Sequence, residues 1–350
     1  MRLLETRMLQ NLKQSLKKIS RRLNKKGIFH QDNGEVTQAL ECFIRSHRLN
    51  RNNQDALYNM LYLATQLGVD CEHVDLNNNG EWDADLFIIS QLYHYLRGDF
   101  QKAAQSILSF DNFVKTSPTK VATLGYSNLL KGLLSRLTSE HHTDYEKIYT
   151  VGNSHALSFA YHPISINSNK YYFHPLLTIG AKMHHLAMPV NNMFKEITKQ
   201  NLQRIPDGSK VLVFFGEIDC RNSEGFIPAA NKYRISVHDI IKKTIKEFFL
   251  WLHKVNTKAH SLALCNIPAP KYSEVNSLVE NQLVSEVVSF FNETLHLHCK
   301  THNIPMVDIY EKTVGPEGFS NKIFHIDEWH VSCELLESLE SSLSNAFCYE

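Results

Sequence analysis

Close to residue 145 the hydrophobic period of this chain changes, and that change limits its folds more than any other feature. Up to about Tyr145, apolar residues recur three or four positions apart, with Gly- and Asn-rich breaks between segments; a period near 3.6 gives each segment one helical stripe. From Tyr149 onward, short apolar runs alternate with longer amphipathic stretches. The runs "KIYTV", "KVLVFF", "SLALCNI" and "PMVDIY" predict strands, with a further one near "YYFHPLLTI", and Ser236 to Val255 and Val275 to His302 predict helices. Strand and helix in alternation predict a mostly parallel sheet covered on both faces, a three-layer α/β/α arrangement. At 350 residues the chain has room for two cores, so the expectation is an all-α domain over residues 1–145 and an α/β domain over 146–350.

Within the helical part, "GEVTQALECF" and "RGDFQKAAQSI" share one skeleton: Gly34, Val36, Ala39 and Phe43 match Gly98, Phe100, Ala103 and Ile107. A small Ala between bulky neighbours lets two helices approach. The skeleton resembles the tetratricopeptide repeat over residues 30–112, although the two glycines stand 64 positions apart and not at twice a period of roughly 34. That resemblance implies stacked helices with a face for a protein partner. Between the two segments, Asp75, Asn77, Asn79, Gly80 and Asp83 fall at the ligand and turn positions of a calcium loop. Leu86, however, replaces the bidentate Glu, which leaves an Asn/Gly-rich connector as the expectation.

The net charge of +1 conceals an asymmetry. Residues 1–26 hold nine Lys/Arg and one acid, Glu5, so the remainder carries +1 minus +8, or −7, and no general nucleic-acid footprint is expected. Leu9, Leu12, Leu16, Ile19 and Leu23 trace a stripe along this basic segment. Three readings are open: a helix packed on its neighbours, a helix in peripheral contact with a membrane surface, or a transit-like leader. No run approaches a membrane span, and no secretory signal is evident. Seven scattered cysteines without a Cys-x-x-Cys pair favour a reducing, cytoplasmic setting. The histidine clusters lack carboxylate-supported ligand spacing, and no Gly-rich phosphate loop is present, so neither metal nor cofactor is expected.

Three short motifs lie at strand ends or on the last loop: Gly152-Asn153-Ser154-His155, Gly216-Glu217-Ile218-Asp219, and Asp327-Glu328-Trp329-His330. Active sites of parallel sheets form at the carboxyl ends of strands. A serine hydroxyl attacks poorly unless a base removes its proton, and that base needs a third group to fix its tautomer. Asp-x-x-His supplies both: on a tight turn Asp327 can hold one imidazole nitrogen while the other faces Ser154. Singly, each motif has an ordinary structural reading as a helix cap or a solvated turn. Their order and placement together point to nucleophilic catalysis. The Gly-x-Ser-x-Gly elbow of α/β-hydrolases is absent, because Ala156 stands at its second glycine.

Residues 146–350 resemble the SGNH, or GDSL-type, hydrolases. "VGNSH" is similar to the nucleophile block, with Asn153 where the family has an acid; "FFGEIDCR" matches the third block at Gly216 and Asp219; "HIDEWHVS" matches the Asp-x-x-His block in full. The resemblance implies Ser154 as nucleophile, His330 as base, Asp327 as its orienting acid, and an oxyanion hole from the amides of Ser154 and Gly180, the latter in "LLTIGAKMHHL". Ile218 occupies the position of the family's oxyanion Asn and cannot donate, a loss of about 10²- to 10³-fold in rate unless another group replaces it. Arg221 is the nearest such group in sequence; the alternatives are an anion-binding role or an ion pair with Glu217. The implied activity is hydrolysis of a small-molecule or glycan O-acyl ester, an O-acetyl group among them. The competing expectation is a hydrolase-like domain without turnover in an interaction scaffold.

Overall fold

The computed structural model describes residues 2–71, 82–116, 121–137 and 144–347. Most of the calcium-like loop, Asp75, Asn77, Asn79 and Gly80 included, lies outside the described residues, as do His141, His142 and Cys348. The chain forms two compact units: Met1–Lys131 with Asn191–Ile197, and Gly132–Val190 with Thr198–Glu350.

In the first unit six helices follow one another: α1 (Arg2–Asp32), α2 (Val36–Leu49), α3 (Gln54–Leu67), α4 (Ala84–Leu96), α5 (Phe100–Thr116) and α6 (Val121–Leu134), the last of which runs past the boundary. The turns after α1 and α4 need a residue with positive φ, and Gly34 (φ 76°) and Gly98 (φ 75°) supply it at equivalent places. Two residues beyond each glycine the next helix begins. It buries the skeleton residues Ala39 and Phe43 in α2, and Ala103 and Ile107 in α5. Asp83 caps α4 by accepting from Leu86 N (2.9 Å), which gives this loop residue a structural task.

The first helix departs from the expected stripe. Its buried residues among those described are Ser20 and Gly27, which face α2, and Asn24, whose Oδ1 accepts from Asn59 Nδ2 of α3 (3.2 Å). Ser20 Oγ donates to Ser46 O (2.9 Å), Ser46 Oγ donates back to Ser20 O (2.7 Å), and a Cβ at Gly27 would lie 2.4 Å from the Phe43 ring. Small residues at the crossing let the helices approach, while Leu12 and Ile19 of the expected stripe stay exposed and Leu16 and Leu23 are half-buried.

The second unit is built on a six-stranded sheet: β1 (Glu146–Gly152), β2 (Pro163–Ile166), β3 (Asn169–Leu177), β4 (Lys210–Phe214), β5 (Ser261–Cys265) and β6 (Met306–Val307), in the order β2-β3-β1-β4-β5-β6. All pairs are parallel except β2 with β3. Around it lie α7 (Met183–Ala187), α8 (Met193–Arg204, which begins in the first unit), α9 (Phe226–Tyr233), α10 (Val237–Val255), α11 (Leu278–Thr301), α12 (Tyr310–Thr313) and α13 (Leu336–Phe347). Residues of both parities are buried along β4, so both sheet faces are covered and the architecture is α/β/α. Leu212 and Phe214 join Ile148, Phe159, Phe173 and the buried leucines of α13 in one core. Tyr171 and Phe173 belong to that core and do not line a cleft, so the aromatic run of β3 serves packing.

Where β1 ends, the chain comes unusually close to β4. A Cβ at Gly152 would stand 2.2 Å from Phe214 O, a backbone atom that cannot turn aside. Gly152→Ala is therefore expected to destabilise the protein by about 1–3 kcal/mol through strand displacement. Denaturant unfolding checks this, with Gly125→Ala, where a Cβ meets nothing within 4 Å and φ is not positive, as the milder comparison.

Candidate active site

Ser154 owes its position to what precedes it. Asn153 N donates to Phe214 O (3.2 Å), and Asn153 Oδ1 accepts from His155 N (3.1 Å), which caps a single 3₁₀ turn over Ser154–Leu157. Asn153 Nδ2 is buried with no hydrogen bond among the described residues. On the neighbouring strand Thr178 N donates to Gly152 O (2.7 Å), which fixes the start of the segment that carries Gly180. The amides of Ser154 and Gly180 enter none of the hydrogen bonds of the described residues.

The opposite side comes from the loop before α13. His325 and Val331 form an antiparallel bridge, Ile326 N donates to His330 O (2.8 Å), and Ser332 N donates to Phe324 O (2.7 Å), so the Asp-x-x-His turn stands on a short braced hairpin. Asp327 Oδ1 accepts from the amides of Trp329 and His330, both at 2.8 Å. His330 Nδ1 lies 2.8 Å from Asp327 Oδ2, and His330 Nε2 lies 2.8 Å from Ser154 Oγ. Burial opposes ionisation of Asp327, but the His330 ring and the two amides hold its carboxyl down at about 2. An ionised Asp327 accepts the Nδ1 proton, which leaves Nε2 as a lone pair facing the serine hydroxyl.

A second, buried charge cluster borders this chain of three. His155 Nε2 is 3.3 Å from Glu217 Oε2, and its ring lies 5.0 Å from that of His330. Arg221 grips Glu217 with two hydrogen bonds (2.8 and 2.7 Å), reaches Glu224 at 3.2 Å, and stacks 4.4 Å from the Trp329 ring centre. Burial would raise the Glu217 carboxyl, yet His155 and the guanidinium outweigh it and bring it to about 2; burial pushes His155 the opposite way, toward the neutral ring. Arg221 is thus neither a free donor nor a surface ion pair. It lines a small cleft together with Glu217, His325, Trp329 and the apolar run Ile267, Pro268, Ala269 and Pro270, a lining that does not include Ser154 or His330.

The other sequence-marked residues have structural tasks. Gly216, at φ 120°, packs against Phe291, whose ring a Cβ would meet at 2.2 Å. Asp219 is buried and accepts from Met183 N (2.7 Å) and His184 N (3.0 Å), holding α7 to the turn after β4, and burial raises its carboxyl to about 7 against those two bonds. Ile218 is buried and brings no donor. His155 and Trp329 stood in the quoted motifs but drew no role from sequence, since their partners lie far away along the chain. Among the described residues no cluster of three metal-ligating side chains occurs.

No family model matches the sequence, and no curated protein matches it. Among solved structures, the chain is similar to a protein described as an acylhydrolase from Bacteroides fragilis (16% identity, 65% of this chain and 97% of that one, TM-score 0.38). It is also similar to a GDSL-like lipase from Bacteroides thetaiotaomicron (15%, 61% and 92%, TM-score 0.38) and a lipase/acylhydrolase from Enterococcus faecalis (17%, 57% and 94%, TM-score 0.34).

The carboxyls of Asp327 and Glu217 are lowered from 3.8 and 4.5 to about 2 in the folded chain, so the stability they confer is full above about pH 4.5 and lost as pH falls toward 2. For Glu217 the amount is on the order of 3 kcal/mol. Melting temperatures between pH 2 and 5 should fall steeply for the natural chain and less steeply for Glu217→Gln.

Proposed function

We propose that the α/β unit is a serine hydrolase that cleaves an O-acyl ester. The observation that carries this reading is the unbroken chain from Ser154 Oγ through the His330 ring to Asp327 Oδ2, both hydrogen-bonded links 2.8 Å, at the carboxyl edge of a mostly parallel sheet. Ser154 Oγ attacks the acyl carbon while His330 Nε2 takes the hydroxyl proton. Collapse of the tetrahedral intermediate expels the alcohol, which receives that proton from His330. Water then attacks the acyl-serine with His330 again as base, releasing the carboxylic acid and restoring Ser154. Asp327 holds the tautomer and balances the imidazolium. The unengaged amides of Ser154 and Gly180 are the donors for the developing oxyanion.

A glycan O-acetyl ester as the substrate rests on the SGNH resemblance alone. Proposed with it are a cytoplasmic setting and a helical unit that binds a protein partner, as tetratricopeptide-like stacks do. One observation favours the second reading, a scaffold without turnover: Ile218 supplies no third donor. Hydrolysis of p-nitrophenyl acetate discriminates. Ser154→Ala and His330→Ala should each remove nearly all activity, and the double variant should be no worse than either alone, because such residues act as one unit. Independent, multiplying effects, or a rate that neither substitution changes, would contradict the enzyme.

Asp327→Asn adds a further test: it should cut the rate strongly, because it removes the group that holds the His330 tautomer. A rate unchanged by Asp327→Asn would count against this pairing.

A further inference from the structure

The charged half of α1 has no task in the chemistry above. From residue 7 to residue 19 none of its described side chains is fully buried, and the first buried residue is Ser20. Met8 (70% exposed), Leu12 (56%) and Ile19 (45%) lie four and seven positions apart, on one stripe of the helix. Around the rest of its circumference are Lys13, Lys17, Lys18, Arg21, Arg22 and Lys25, and no acid occurs between residues 6 and 26. Lys17, Lys18, Arg21, Arg22 and Lys25 border one shallow open depression. The helix thus presents large apolar side chains and a dense cationic face to solvent together.

We propose that this part of α1 is a docking surface for an anionic lipid bilayer, lying along it with Met8, Leu12 and Ile19 immersed among the acyl chains and the lysines and arginines at the headgroups. Charge complementarity selects the occupant. Residues 1–26 carry +8, so two copies meeting helix to helix would set like charges against each other, and a second copy's remainder, at −7, would leave the exposed Met8, Leu12 and Ile19 against a charged surface. A nucleic acid would satisfy the cations but leave the exposed Met8, Leu12 and Ile19 without an apolar surface to enter. A bilayer with anionic headgroups satisfies both sets. Each cation brought to such a surface is worth about fivefold in binding.

Co-sedimentation of the full chain with vesicles tests this. Binding is expected to vesicles of phosphatidylcholine with phosphatidylserine and not to phosphatidylcholine alone, and to weaken as salt rises. Lys17→Glu with Lys18→Glu should lower it by at least about tenfold. Leu12→Ser with Ile19→Ser should also weaken it, while the circular dichroism of both variants stays that of the natural chain because all four side chains are exposed. The proposal is overturned if phosphatidylserine vesicles are not bound, if binding survives both pairs of substitutions, or if a nucleic-acid duplex binds the helix and phosphatidylserine vesicles cannot displace it.

Discussion

The close approach of β1 to β4 at Gly152 is the constraint on which the rest of the site depends. With no side chain there, Asn153 N reaches Phe214 O, the chain turns at once into the 3₁₀ turn, and the Asn153 side chain caps that turn and holds Ser154 at the sheet edge. The same residue's carbonyl accepts from Thr178 N and so anchors the segment leading to Gly180. One glycine thereby sets the relative heights of the hydroxyl and of a second amide. Only the base comes from elsewhere, on a hairpin whose own backbone bonds and the two amides on Asp327 fix it before any side-chain contact is counted.

Behind that edge the protein buries ionised groups, which costs far more than burying apolar ones unless each is paired. Glu217 meets this condition through the two-pronged grip of Arg221 and the approach of His155. The arrangement keeps a paired charge close to Ser154 and His330, both only 5% exposed. It also explains why Arg221 does not act as a loose donor in place of the absent Asn: its guanidinium is committed to Glu217 and Glu224, with its face against Trp329.

Much of this was legible in the sequence because it depends on short-range pattern. Apolar runs marked β1, β3, β4, β5 and, in "PMVDIY", the short β6, and the motifs at their ends named the residues that the structure brings to hydrogen-bond distance, Ser154 with His330 and His330 with Asp327. What was not legible depends on partners distant in the chain. The edge strand β2 is four residues long and starts at a proline, too short and too atypical for a periodic signal. His155 reads as an ordinary residue of a turn until Glu217 is placed beside it. In α1 a packed helix was one of three readings of the leucine stripe, yet Ser20 and Gly27 face α2, because a close crossing against Phe43 selects small residues over large apolar ones.

The central claim is that the Ser154 hydroxyl is an activated nucleophile. Incubation of the purified chain with a fluorophosphonate, followed by peptide mass spectrometry, tests it most directly, because phosphonylation requires a serine whose proton is taken by a neighbouring base and does not depend on knowing the ester. The account predicts a single phosphonate adduct on Ser154 in the natural chain, with labelling greatly slowed in His330→Ala. No adduct on Ser154, or labelling at an equal rate in His330→Ala, would contradict it.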